Sequence, residues 1–83
     1  MSMIKLELTE LYKKENTNRH EEYSKKSLIL FLNTESNFSL TEKGTKQTII
    51  HTGLNIDGFH VHVSIKDLCK IIDAEKAKMI NNE

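Results

Sequence analysis

The sequence is poor in the residues that mark several common classes of protein. It has no Pro and no Trp, three Gly and one Cys among 83 residues. The lack of Pro and the few Gly argue against a low-complexity linker and against a fold made mostly of loops. The single cysteine, Cys69, excludes a framework of internal disulfides.

A net charge is also lacking, because 12 Lys and Arg residues balance 12 Asp and Glu residues. Nucleic acid is therefore an unfavoured partner, since phosphates attract a basic face. No apolar run approaches the roughly 20 residues of a transmembrane helix. In residues 1–11 apolar residues alternate with polar and charged ones, so this segment lacks the continuous apolar centre of a signal peptide. We therefore expect a cytoplasmic protein that does not contact membranes.

What is present is the patterning of one small β-rich domain over residues 1–83. The alternation of Ile4, Leu6 and Leu8 with polar residues is typical of a half-buried strand, which Leu11 and Tyr12 extend past a bulge. Residues 13–26 are polar except for Tyr23 and predict a long exposed loop or a wide hairpin. We expect these charges to be solvated, or the loop to contact a partner.

Residues 28–32 are five consecutive apolar residues and predict a strand covered on both faces. One face meets the core, and the other needs the helix, a loop or a second subunit. Residues 33–36 are predicted to turn, and residues 37–41 and 46–52 to form strands. Gly44 is expected at positive φ in the tight turn between those strands.

Residues 59–63 form an alternating strand that places Phe59, Val61 and Val63 on one face. Ser64 then begins a helix over residues 65–80, with Asp67 completing an approximate capping box. The predicted fold class is α+β: a bent antiparallel sheet or partly open barrel of about five strands, closed by one C-terminal helix.

Three histidines supply the candidate polar site of the sequence. His60 and His62 share one face of a strand, and a turn near residues 55–56 would place His51 opposite His60. Three imidazoles on one hairpin are a workable ligand set for zinc or another divalent metal. The simpler interpretation is that alternation turns these side chains outward into water. A subunit contact or a pH-sensitive surface would use them equally well.

Cys69 with a histidine would make a nucleophile and its base. However, Cys69 falls on the predicted apolar stripe of the helix, where a free cysteine is usually a small core residue. The sequence contains no Gly-rich phosphate loop and no Cys-x-x-Cys pair. We therefore expect a protein that is not an enzyme and needs no cofactor.

Four short segments form a pattern along the chain: Met-Ile-Lys-Leu at residues 3–6, Leu-Asn at 32–33, Thr-Ile-Ile at 48–50 and the strand-to-helix run at 60–68. In this pattern the chain resembles the small FlbD/SwrD-type flagellar proteins and their phage-encoded look-alikes. The family has a short Asn-Gly turn where this chain has residues 13–26. The resemblance implies a small, non-enzymatic accessory protein.

The last forty residues contain Thr-Ile-Ile-His-Thr at residues 48–52 and Ser-Ile-Lys-Asp-Leu at residues 64–68. In these two segments the chain also resembles the C-terminal half of LytTR-type DNA-binding domains. This resemblance implies a nucleic-acid-binding regulator, whereas the neutral charge and the lack of a clustered basic loop oppose that role.

Together these features favour a protein-interaction or regulatory module, encoded by a bacterium, phage or mobile element and acting on a host protein complex. The alternatives are a nucleic-acid-binding regulator and a metal-binding protein that uses His51, His60 and His62. We also expect a homo-oligomer, with a dimer as the first prediction, because a thin core and a doubly apolar strand leave surface that one chain does not cover.

Overall fold

A computed structural model of the chain describes residues 3–13, 23–53 and 56–81. Within these residues the chain forms five strands and one helix: β1 (Met3–Lys13), β2 (Tyr23–Asn33), β3 (Ser39–Gly44), β4 (Gln47–His51), β5 (Phe59–Val61) and α1 (Ile65–Asn81). All paired strands are antiparallel, and their order in the sheet is β2-β1-β5-β4-β3. The predicted α+β class, with a five-stranded antiparallel sheet and a C-terminal helix, is confirmed.

The hairpin of β1 and β2 is longer and more regular than the sequence suggests. Its register runs unbroken from Met3 opposite Asn33 to Lys13 opposite Tyr23, so the expected bulge before Leu11 is wrong. Strand β2 also begins within the predicted loop of residues 13–26, of which 14–22 lie outside the described residues. Polar side chains support this end of the hairpin, because Lys26 Nζ lies 3.6 Å from Glu10 Oε1.

The core lies on one face of the sheet, between the strands and α1. Its buried apolar side chains come from alternate strand positions and from the helix: Ile4, Leu6, Leu30, Leu32, Ile50, Val61, Leu68 and Ile72. The helix packs mainly against β1 and less against β3. The buried strand residues occupy every second position, as expected for a sheet with one covered face.

The start of α1 agrees with the capping signal in the sequence. The Asp67 backbone N–H donates to Ser64 Oγ at 3.1 Å, which satisfies one of the free donors of the first turn. The helix ends at Asn81, one residue beyond the predicted end. The expectation that Cys69 is a core residue is wrong: it is exposed. Since each helical residue turns about 100°, Cys69 rotates away from the core when Leu68 points into it.

The glycine predictions need one correction. Gly44 is the last residue of β3 and does not have positive φ, because a register shift between Glu42 and Gly44 shapes this turn instead. Positive φ occurs at Gly53 and Gly58, on the connection between β4 and β5.

Strand β5 is shorter than predicted, because the chain bends at residues 62–63 before the helix begins. A hydrogen bond holds this bend: Thr48 Oγ1, on a fully buried side chain of β4, donates to the Val63 carbonyl at 2.8 Å. Thr48 therefore connects the middle of the sheet to the residue before the helix cap at Ser64.

We expect Thr48→Val to lower the free energy of unfolding by about 1–3 kcal/mol, since it leaves the Val63 carbonyl without this donor. Urea denaturation with an unchanged m-value would measure the loss. Thr9→Val, at an exposed position of β1, is the matched control and should change stability by less than about 0.5 kcal/mol. Equal effects of the two substitutions would contradict the role assigned to Thr48.

Candidate functional site

The structure does not pair the histidines as the sequence predicts. His60 lies opposite Ile49 in the ladder of β4 and β5, so the expected pairing of His51 with His60 is wrong. The observed register is displaced by two residues from the expected one, so the midpoint of the connection lies one residue nearer to β4 than a turn centred on residues 55–56 would place it. His62 follows the end of β5 and is exposed.

Each half-buried histidine has a separate polar neighbour. Thr41 Oγ1 lies 3.3 Å from His51 Nε2, and Gln47 Nε2 lies 3.4 Å from His60 Nδ1. Among the residues that the structure describes, no three His, Cys, Asp or Glu side chains are grouped as a metal site would need. His51 and His60 therefore each make a separate local contact, and His62 is exposed.

The prominent feature of the surface is apolar and lies on the hairpin of β1 and β2. Met3, Ile29 and Phe31 are 43%, 56% and 57% exposed, and we call these three residues the outer apolar patch. Ile29 and Phe31 are the alternate residues of the apolar run 28–32, whose other members point to the core. In the described part of the chain neither the helix nor a loop buries them, and cover by a second subunit, the third expected possibility, stays a prediction.

Charged residues border the outer apolar patch. Lys5 lies opposite Phe31 and Glu7 lies opposite Ile29 on the neighbouring strand. The two charged side chains pair with each other, with Lys5 Nζ 3.4 Å from Glu7 Oε1. An apolar centre with a polar border is the usual anatomy of a protein–protein interface.

A cleft of about 240 Å³ adjoins the outer apolar patch at the end of the hairpin. Met3 and Phe31 form one side, and Phe38 contributes a second aromatic ring from the segment before β3. The turn of residues 33–36, which the sequence predicts correctly, supports the cleft. The Glu35 N–H donates to Asn33 Oδ1 at 2.9 Å, and the Ser36 N–H donates to the Asn33 carbonyl at 3.3 Å. The cleft therefore offers a preformed recess for an apolar side chain.

Strand β2 also forms one edge of the sheet, so half of its backbone groups face away from β1. The direction of these groups follows from one hydrogen bond, in which the His62 N–H donates to the Thr9 carbonyl at 2.8 Å. Thr9 thus faces β5, and the even-numbered residues of β1 face their even-numbered partners in β2. Ser27, Ile29 and Phe31 therefore present their N–H and C=O groups at the free edge, whereas the Asn33 carbonyl also accepts the Ser36 N–H.

Sequence reasoning identified the apolar run of β2 but missed Met3 and the position of β2 at the edge. The run of five apolar residues is itself a signal that two faces need cover. The order of the strands in the sheet determines which strands are neighbours and which face of β2 stays uncovered.

No protein-family model, curated protein or solved structure matches this chain. In the described ranges, no helix has both the length and the apolar character that crossing a membrane requires.

Proposed function

We propose that this chain is a small, non-catalytic protein-interaction module that binds a partner protein through the outer apolar patch. The observation that carries the proposal is the exposure of Ile29 and Phe31, which are 56% and 57% accessible on one long edge strand. Large apolar side chains that are adjacent and exposed mark interaction surfaces more often than isolated ones do. A regulatory role on a host protein complex, with a phage or mobile element as the source, is part of this proposal.

The energetics of the patch support a protein partner. Covering apolar surface contributes about 25 cal/mol per Å², and an aromatic anchor in a pocket is a typical centre of binding energy. Phe31 supplies such an anchor beside the cleft that it shares with Met3 and Phe38. The ion pair of Lys5 and Glu7 lies at the border, where charges contribute more to specificity than to affinity.

The double variant Ile29→Thr/Phe31→Thr tests this function. Threonine is β-branched and suits a strand, so the sheet is expected to persist while most of the apolar surface is lost. Immobilised wild-type chain should capture a stoichiometric partner from the native host, and the variant should bind it at least about tenfold more weakly. Circular dichroism and the melting temperature would establish that the variant is folded.

Ser27→Thr is the matched control, because Ser27 lies on the same face of β2 outside the outer apolar patch. It should leave capture unchanged. Undiminished binding by the double variant, or repeated capture of nothing by the wild type, would contradict the proposed function.

A further inference from the structure

We infer that β2 pairs antiparallel with β2 of a second copy of this chain, about a two-fold axis at Leu30, and that this pairing completes the outer apolar patch. The inference deepens the proposed function, on which it rests, by naming what occupies the free edge of β2. The outer face of the resulting dimer is then the surface offered to the partner protein.

The two edges of the sheet differ in how well they are protected. Strand β3 has six residues, carries Glu42 and Lys43, and is interrupted by a register shift. Strand β2 has 11 residues and an unbroken register. Its two charged residues, Lys25 and Lys26, lie toward one end, and no charged residue or proline lies between Ser27 and Asn33. Short length, charge and bulges are the devices that prevent edge pairing, so β2 is the edge that accepts another strand.

The direction of the edge groups determines how two copies of β2 meet. Only odd-numbered residues present N–H and C=O groups outward, so an odd-numbered residue must lie opposite an odd-numbered one. Opposite residues of an antiparallel pair point to the same side of the sheet. The outer faces of both copies therefore lie on one side, and the two-fold axis is perpendicular to the sheet.

One of the three registers centred on residues 29–31 places both Ile29 and Phe31 opposite apolar residues. With the axis at Leu30, Ile29 lies opposite Phe31 of the second copy and Ser27 lies opposite Asn33. A shift that centres the axis on Ile29 would place Phe31 opposite Ser27. A shift that centres it on Phe31 would place Ile29 opposite Asn33. Both shifts exchange an apolar cross-strand pair for a mixed one, which stabilises the sheet less.

Charge complementarity favours the same register. With the axis at Leu30, Lys25 of one copy lies just beyond Asn33, the last residue of β2 of the other copy, where the turn of residues 33–36 carries Glu35. The symmetry repeats this placement at the opposite end of the interface. Both side chains are exposed, so they are available to an oncoming strand. The zero net charge of the chain adds little repulsion between copies.

Pairing in this register joins two five-stranded sheets into one sheet of ten strands. Ile29 and Phe31 of both copies then form a continuous group of four apolar side chains at the centre of its outer face. One chain alone presents half of this surface, so the binding site is incomplete without the second copy.

The first test measures mass in solution by light scattering and by sedimentation over a series of protein concentrations. Wild-type chain should have twice the mass of one chain. Ser27→Pro should weaken dimerisation by roughly 10–100-fold, because two symmetry-related hydrogen bonds are lost and the rings block the edge. The Ser27 N–H faces the free edge, where proline is tolerated in a single chain. Ser27→Ala is the matched control and should remain dimeric.

The second test determines the register and does not depend on proline. In a Cys69→Ser background, Ser27→Cys protein is mixed with Asn33→Cys protein under mild oxidation. Opposite residues of a hydrogen-bonded pair have Cα atoms about 5.5 Å apart, within disulfide range. The mixture should form a disulfide-linked dimer. Either variant alone should form none, because identical positions lie about 20 Å apart along the strands.

A monomeric wild-type chain at every concentration, or disulfides that form equally well within each separate variant, would overturn the inference. Such a result would leave the proposed function standing if the wild type still captures its partner and Ile29→Thr/Phe31→Thr does not. A dimer that links Ser27 to Asn33 but captures nothing would support the pairing and contradict the proposed function.

Discussion

Gly58→Ala is expected to destabilise the protein by about 2–5 kcal/mol, among the largest effects of any single substitution in this chain. Gly58 has φ of 75°, a conformation that residues with a Cβ rarely adopt. An added Cβ would also lie 2.6 Å from Ile49 Cγ2 and 3.0 Å from the Ile50 carbonyl oxygen. The second contact is with the backbone of a central strand, so rotation of a side chain does not relieve it.

The other two glycines provide graded controls for this prediction. Gly53 has φ of 86° but open space around its Cα, so Gly53→Ala should cost about 1–2 kcal/mol from backbone strain alone. Gly44 does not have positive φ, and its added Cβ would meet Gln47 Cβ at an ordinary 3.8 Å. Gly44→Ala should therefore be neutral or stabilise by up to about 1 kcal/mol. Urea denaturation of the three variants measures the order, and an equal loss at Gly53 and Gly58 would contradict the proposed clash.

Leu68→Ala is expected to lower the free energy of unfolding by about 2–5 kcal/mol. Leu68 lies in the first turn of α1, and its side chain is completely buried in the core. A chain of this length is typically stable by about 4–12 kcal/mol, so the substitution removes a large part of the total. The loss combines the transfer free energy of the side chain with the cavity that it leaves.

Cys69→Ala is the control for Leu68→Ala, because it changes the adjacent residue of the same helix at an exposed position. We expect a change within about 0.5 kcal/mol. Denaturation of both variants by urea, followed by circular dichroism, measures the difference. A large loss of unfolding free energy for Cys69→Ala would contradict the exposed position of Cys69 and would indicate that the residue lies in the core.

The sequence by itself determined those features that depend on local chemistry. The alternation of Ile4, Leu6 and Leu8 predicted a strand with one buried face, and all of its alternate residues point toward the core side. Ser64 predicted the start of the helix, because a hydroxyl before an apolar stripe satisfies backbone donors within three residues. Such signals depend only on residues that are close in the sequence, so a single sequence is enough to predict the strand and the start of the helix.

The tertiary structure decided which residues meet across the chain. The register of β4 and β5 placed His60 opposite Ile49 instead of His51, and this difference of two residues was enough to separate the predicted histidine cluster. The orientation of α1 placed Leu68 in the core and Cys69 outside, since one apolar stripe of a helix admits several rotations about its axis. Strand order in the sheet left β2 at an edge and Phe31 exposed. Local pattern specifies that residues 28–32 form an apolar strand, whereas only long-range pairing determines which of its faces the chain leaves uncovered.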